Sequence, residues 1–200
     1  RERRLAGADV EVEKTSSLGN KQYGYDIFSK PWAKEGGFTQ VNIPVGPDYI
    51  LGPGDNLILY LWGKIEERIK VTLDNEGKIV LPRVGEVYLG GETFDNAKKI
   101  LKKELGKYYV NFELNVTMGK LRTIKVFLLG EVASPGAYNI MSLSTVFHSL
   151  YIAGGPSKMG SLRNIKLIRG SKTIATIDTY RYLLYGDRSQ DPNLKDHDTI

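Results

Sequence analysis

The chain has 200 residues, of which 41% are hydrophobic, and its formal net charge at pH 7 is +5. This length suits one ordinary domain or two small ones, and the apolar content excludes a disordered chain. The absence of cysteine excludes disulfides, thiol catalysis and cysteine-based metal sites. Because 28 basic residues are mixed with 23 acidic ones, we expect no nucleic-acid partner.

The first 44 residues have the composition of an irregular segment, with turn residues between scattered aromatic ones. The aromatic rings of Tyr23, Tyr25 and Phe28 need a surface to pack on, because they would otherwise stay in water. We therefore predict an N-terminal arm at residues 1–44 that lies over the body of the protein or over a neighbouring subunit.

From residue 45 the pattern changes to short strands. Residues 52–55 (Gly-Pro-Gly-Asp) have a turn signature, and the apolar run 57–62 predicts a strand buried on both faces. A helix is expected to begin after Thr93 and to end at Gly106, with an apolar stripe along one side. Further strands are predicted at residues 68–73, 78–81, 85–89 and 108–117.

A second set of elements begins near residue 121. Strands at 124–129 and 137–140 precede a helix that we expect Ser144 to cap and the glycines at 154 and 155 to end. A hairpin is predicted over 164–177, and residues 180–185 suit one or two helical turns. The chain ends within what looks like a new strand, so we expect this domain to be cut before its natural end. The predicted fold class is α+β, with two small β-rich domains that each pack one helix.

The sequence predicts no catalytic or metal site. Asp48 and Asp55 flank the turn, and a carboxylate pair could act on sugars, but aspartates are common at turns for local hydrogen bonding. The run 196–198 (Asp-His-Asp) resembles a small metal cluster, yet neighbours on a strand alternate faces, which favours a turn. We interpret His148 as a structural or exposed histidine rather than a ligand, and we expect no enzyme activity, no cofactor and no metal.

Two motif sets resemble a known family. Residues 48–57 (DYILGPGDNL), closing with Leu-Trp-Gly at 61–63, resemble the opening of the polysaccharide biosynthesis/export domain of the outer-membrane polysaccharide export (Wza-type) proteins. Residues 126–138 (VFLLGEVASPGAY) and 153–156 (AGGP) resemble an SLBB domain, a soluble-ligand-binding β-grasp module. The two sets occur in the order that the family uses, and they cover roughly residues 45–200.

The resemblance implies an export domain at residues 45–119 and a β-grasp SLBB domain at 120–200. It also implies a periplasmic protein, associated with the outer membrane through segments outside this chain, whose subunits form a ring around a polysaccharide conduit. The expected partners are polysaccharide, an inner-membrane polysaccharide co-polymerase and further copies of the chain. The alternative is an SLBB-type adaptor that binds a glycan or small ligand without forming a pore.

Six side chains are candidates for contact with a sugar polymer. Aromatic rings suit the apolar faces of sugars, and cations pair with acidic sugar groups. Tyr60 and Trp62 lie in an apolar strand, which favours core positions over sugar contact. The pattern likewise favours ordinary solvated charges for the two cations, as we interpret the lysines of the first helix. The candidates are Tyr60, Trp62, Tyr138, Tyr151, Lys158 and Arg163.

Overall fold

The computed structural model describes residues 23–29, 45–63 and 66–200. None of the helices in these ranges is long and apolar enough to cross a membrane. Two hydrophobic cores form, one from residues 45–119 and one largely from residues 124–200. The first body contains β1 Asn56–Gly63, β2 Glu67–Thr72, β3 Lys78–Leu81, β4 Gly85–Tyr88, α1 Phe94–Leu105 and β5 Phe112–Met118.

The first body packs α1 with two small antiparallel sheets. β1 pairs with β2 on one side and β5 on the other, and β3 pairs with β4. Helix α1 buries one apolar stripe because its apolar residues recur at helical spacing. As predicted, Thr93 caps the start, where its hydroxyl accepts from the Asn96 amide at 3.3 Å, and Gly106 ends the helix.

Strand β1 has one buried face and one open face. Leu57, Leu59 and Leu61 are buried, whereas Trp62 is 41% exposed and Tyr60 is half-buried. The expectation of a strand buried on both faces, with Tyr60 and Trp62 in the core, is therefore wrong. The reason is that side chains alternate along the strand, so that only the leucines face the core shared with α1 while Tyr60 and Trp62 project to the opposite face.

The second body is a β-grasp-like arrangement of two hairpins and a packed helix. Its helix α2 is capped by Thr145, one residue after the predicted Ser144. The α+β prediction, with a β-grasp-like second domain, is confirmed. The elements are β6 Thr123–Leu128, β7 Gly136–Met141, α2 Val146–Ile152, β8 Ile165–Arg169, β9 Lys172–Ile177 and α3 Thr179–Tyr185.

The last residues of the chain join the two hairpins of the second body. Thr199 bridges Phe127 of β6 in parallel and Ile168 of β8 in antiparallel orientation. The buried Asp198 carboxylate accepts two hydrogen bonds from Arg169, both at 2.7 Å. The turn interpretation of residues 196–198 fits residues 196 and 197, while Asp198 precedes the two isolated bridges of Thr199, where the sequence predicts a strand.

The described part of the predicted N-terminal arm lies against the second body. Tyr25–Ser29 forms a 3-10 helix, rather than an irregular stretch, and Phe28 is only 2% exposed. The hydroxyl of Tyr151 donates to the Ile27 carbonyl at 2.6 Å, and that of Tyr180 donates to the Tyr23 carbonyl at 3.1 Å. Residues 1–22 and 30–44 of the arm lie outside the described residues.

Candidate functional site

The open face of the β2-β1-β5 sheet carries two of the six candidate residues. Tyr60 lies opposite Arg68 of β2 and Asn115 of β5, and Trp62 lies opposite Glu113 of β5. Residues opposite each other in antiparallel strands project to the same face, with Cβ atoms roughly 5 Å apart. The two aromatic rings therefore share one surface with charged and amide side chains.

Both rings on this face are held by a neighbouring side chain. The indole Nε1 of Trp62 donates to Glu113 Oε2 at 2.6 Å, and the Arg68 guanidinium carbon lies 5.5 Å from the centroid of the Tyr60 ring. A ring whose orientation is already restricted loses less freedom when a ligand stacks on it. The face is thus suited to contact with a flat apolar partner such as one side of a sugar ring.

A basic groove of about 320 Å³ lies at the free edge of β5, between this strand and α1, which packs on the opposite face of the sheet. Lys98, Lys99 and Lys102 line it from the helix, and Asn115 lines it from the strand. The Lys99 ammonium lies 2.7 Å from Asp95 Oδ2, and this ion pair lowers the pKa of the Asp95 carboxyl. The sequence interpretation of these lysines as a solubilising face missed the groove, because only the packing of α1 beside β5 creates it.

The other two candidate tyrosines belong to the second body. Tyr138 of β7 is half-buried, and its hydroxyl donates to the Ser134 carbonyl at 2.5 Å. Tyr151 is 5% exposed, its ring lies 5.6 Å from that of Phe28, and burial raises its pKa. Tyr151 therefore packs in the core, and it also lines a cavity beside the helix at residues 146–152.

The two candidate cations also lie on the second body, in and after the loop that follows α2. Lys158 is exposed to solvent. Arg163 is engaged by the protein: its guanidinium carbon lies 4.6 Å from the centroid of the Tyr180 ring, and its Nη1 lies 3.2 Å from Asp178 Oδ2. The six candidates are thus divided between two bodies, and the pair on β1 has the most open aromatic surface.

Two family models match the chain in order. One, described as polysaccharide biosynthesis/export protein, matches residues 43–119, and the SLBB domain matches residues 125–178. This chain belongs to the polysaccharide export family. Two relatives from Escherichia coli, each named polysialic acid transport protein KpsD, are 28% identical over 169 residues, which is 84% of this chain. The chain spans 30% of the length of these relatives.

A buried carboxylate connects the export domain to the start of the SLBB domain. Asp55 is fully buried and accepts hydrogen bonds from the Gly52 amide, the Arg122 amide and the Tyr49 hydroxyl at 2.8–3.0 Å. It also pairs with the Arg122 guanidinium. The Tyr49 hydroxyl lies 2.8 Å from Ser142 Oγ of the SLBB domain, and burial raises the pKa of Tyr49 to about 12.

This placement of Asp55 bears on the possibility of sugar cleavage. The local hydrogen bond to the turn at Gly52 is the one that the sequence predicts, but Arg122 and Ser142 have no local signal and were missed. A carboxylate that is fully buried in an ion pair cannot reach a sugar, while Asp48 on the other side of the turn is exposed. The two aspartates therefore do not face each other across a cleft, which glycoside hydrolysis requires.

The SLBB domain contains a cavity of about 440 Å³ beside α2. The rings of Phe147 and Tyr182 meet edge to face on its wall, with centroids 4.7 Å apart. His148 Nδ1 lies 3.0 Å from Ser144 Oγ, and burial lowers the pKa of His148 while the nearby Asp191 opposes that shift. The cavity is largely apolar, with polar groups at a few positions, as small-ligand sites commonly are.

Proposed function

We propose that this chain is the periplasmic part of a subunit that exports a capsular polysaccharide or exopolysaccharide to the cell surface. The observation that carries the proposal is the ordered pair of domains, an export domain followed by an SLBB domain. The two are joined through the buried contacts of Asp55 with Arg122 and of Tyr49 with Ser142. The name of the KpsD relatives, as transport proteins for a polysaccharide, supports the same assignment.

The mechanism in this proposal is physical and involves no covalent step. Copies of the subunit form a closed ring by repeating one pair of contact surfaces, and the polymer moves through its hydrated centre. The open aromatic face at Tyr60 and Trp62 contacts the polymer. Such a contact must be weak, because a polymer that binds tightly at each subunit would not advance.

The proposal also includes location and partners. The subunit works in the periplasm and is associated with the outer membrane through segments outside this chain. An inner-membrane polysaccharide co-polymerase delivers the polymer to it. The chain has no catalytic role in this proposal, and the glycosidic bonds of the polymer stay intact during transport.

Deletion of the encoding gene tests the proposal. We expect the deletion strain to lose surface polysaccharide and to retain the polymer inside the cell envelope, and the intact gene to restore export. Normal surface polysaccharide in the deletion strain would overturn the assignment. Light scattering of the full-length protein tests the ring: a closed oligomer of several subunits is expected, and a strict monomer at all concentrations would exclude a self-assembling conduit.

The cavity beside α2 favours a second function, an SLBB-type adaptor that binds a glycan or small ligand without forming a pore. A monomeric protein whose thermal unfolding temperature rises with added mono- or oligosaccharide would support it. Replacing Leu143, which lines the cavity, by Trp would fill that space and abolish the rise. The same replacement should leave export unchanged if the conduit is the correct function.

A further inference from the structure

We propose that the groove between α1 and β5 and the aromatic face of β1 form one continuous binding surface for an acidic polysaccharide. The inference rests on the proposed export function and adds to it the chemical class of the polymer and the side chains that contact it. The polymer would carry carboxylate groups, spaced along a chain of sugar rings.

Asn115 connects the two parts of the surface. Its position on β5 is opposite Tyr60 on the open face, and the residue also lines the groove, at the free edge of the strand, together with Lys98, Lys99 and Lys102. A polymer lying across β5 can therefore stack a ring on the aromatic pair and place a neighbouring carboxylate among the lysines. An amide at the crossing point both donates and accepts hydrogen bonds, which suits sugar hydroxyl groups.

The charge of this surface favours an anionic ligand over a neutral one. Asp95 pairs with Lys99, while Glu113 accepts the Trp62 indole and keeps its negative charge, so these two carboxylates stand against five basic side chains. Within the described part of the chain, Lys98 and Lys102 form no ion pair with a carboxylate. The basic side chains of the surface are Arg68, Lys70, Lys98, Lys99 and Lys102.

The edge of β5 adds polar groups that carry no charge. Among the described strands, β5 pairs with β1 alone, so its other edge faces the groove along residues 114–116. An edge strand presents backbone amides and carbonyls that seek hydrogen-bond partners. Sugar hydroxyls can satisfy both kinds of group. The surface thus combines ring stacking, carboxylate pairing and hydroxyl recognition around the free edge of β5, with the aromatic pair on one side of the sheet and the lysines on the other.

The binding test uses polygalacturonic acid as the acidic probe and dextran of similar length as the neutral one. We expect the full chain to bind polygalacturonic acid at low salt, to bind dextran much more weakly, and to release the acidic polymer as salt screens the lysines. The double variant Lys98→Gln/Lys102→Gln should lower affinity for the acidic probe by roughly tenfold. Trp62→Ala should also weaken binding, and Trp62→Phe should retain most of it.

The matched control removes the same charge from the SLBB domain. Lys166→Gln/Lys172→Gln replaces two exposed lysines of the β8-β9 hairpin and should leave affinity within about twofold of the unaltered protein. Equal losses in both double variants would show attraction by net charge alone and would overturn the proposal. Equal binding of the two probes would overturn it as well.

Two further readouts separate this proposal from others. If the groove variant changed the oligomeric mass in light scattering, the surface would be a contact between subunits, and the proposal would be wrong. In the deletion strain, the unaltered gene tests the export function itself. The Lys98→Gln/Lys102→Gln variant is tested in the same strain. If it restores export as well as the unaltered gene does, and also binds the acidic probe unchanged in vitro, the groove is rejected while the export function stands.

Discussion

The Asp55 carboxylate and the Arg122 guanidinium, 67 positions apart in the sequence, form an ion pair that connects the export domain to the segment leading into the SLBB domain. Asp55 is fully buried, whereas the Arg122 side chain is 27% exposed. The carboxylate also accepts hydrogen bonds from the backbone amides of Gly52 and Arg122 and from the Tyr49 hydroxyl. The turn and Tyr49 of the export domain hold Asp55, and Arg122 also donates to the Tyr49 hydroxyl and the Ile50 carbonyl, so the contact couples the two domains.

Removal of this carboxylate should destabilise the protein. Asp55→Ala leaves the partly buried guanidinium and two amides without their acceptor, so we expect the free energy of unfolding to fall by about 3 kcal/mol. Urea denaturation followed by circular dichroism measures the loss. Asp48→Ala, an exposed change on the other side of the turn, should cost less than about 0.5 kcal/mol. Similar losses in the two variants would contradict a special role for the buried pair.

Gly155 is required where the N-terminal 3-10 helix packs on the SLBB domain. It has a positive φ of 81°, and a Cβ there would overlap Phe28. Gly155→Ala should therefore lower the free energy of unfolding by about 3 kcal/mol, from backbone strain and the overlap together. Gly130→Ala is the matched control, since its φ is 79° and a Cβ would meet nothing within 4 Å. It should cost only about 1 kcal/mol, and thermal unfolding of both variants would show whether the difference exists.

The Asp198–Arg169 pair should hold the centre of the SLBB sheet together. Asp198→Ala removes the acceptor of two charged hydrogen bonds in a buried position, so we expect a loss of about 3 kcal/mol. Hydrogen exchange should quicken at the Phe127 and Ile168 amides, which donate to the carbonyls of residues 198 and 199. Lys195→Ala, whose described contact at Asp198 uses only the backbone amide, serves as control. Unchanged exchange in Asp198→Ala would show that the bridges at Thr199 hold without the pair.

His148 should make the protein less stable in acid. Burial lowers the pKa of His148 in the folded state below its usual 6.5, so the unfolded chain binds the proton more readily. The stability that neutral His148 contributes is complete above pH 6.5 and is lost as pH falls through the lowered folded-state pKa. Urea denaturation at pH 7.5, 6.0 and 5.0 should show this decline. The decline in the free energy of unfolding should be smaller in His148→Asn, which keeps a polar group near the Nδ1 position. An equal decline in this variant would show that other groups cause the acid sensitivity.

Local features of this fold could be predicted from the sequence because they depend on a few neighbouring residues. Thr93 caps the start of α1 and Gly106 caps its end, where the capping rules place them. The strand at 172–177 is observed with the predicted bounds. Hydrophobic spacing also identified the buried stripe of α1. Caps, turns and periodicity act over one or two turns of chain, so a single sequence contains them in full.

The exposure of the candidate residues was decided by tertiary packing. Tyr60 and Trp62 stand in an apolar run that looks like core, yet they lie on the face of the sheet opposite the buried leucines that pack with α1. Tyr151 looks like a surface aromatic beside a helical stripe, yet Phe28 packs against it from the other end of the chain. An apolar residue becomes core or surface according to which distant element packs on it, and local spacing does not contain that information.

The sequence by itself determined the family, the order of the two domains and the α+β class, since these follow from motifs and patterns within short segments. Only the tertiary structure decided the buried partner of Asp55, the closure of the SLBB sheet by Thr199 and the basic groove beside β5. Each of these brings together residues far apart in the chain. Their contacts arise when the two cores form, because burial of apolar surface then fixes which strands, helices and charges become neighbours.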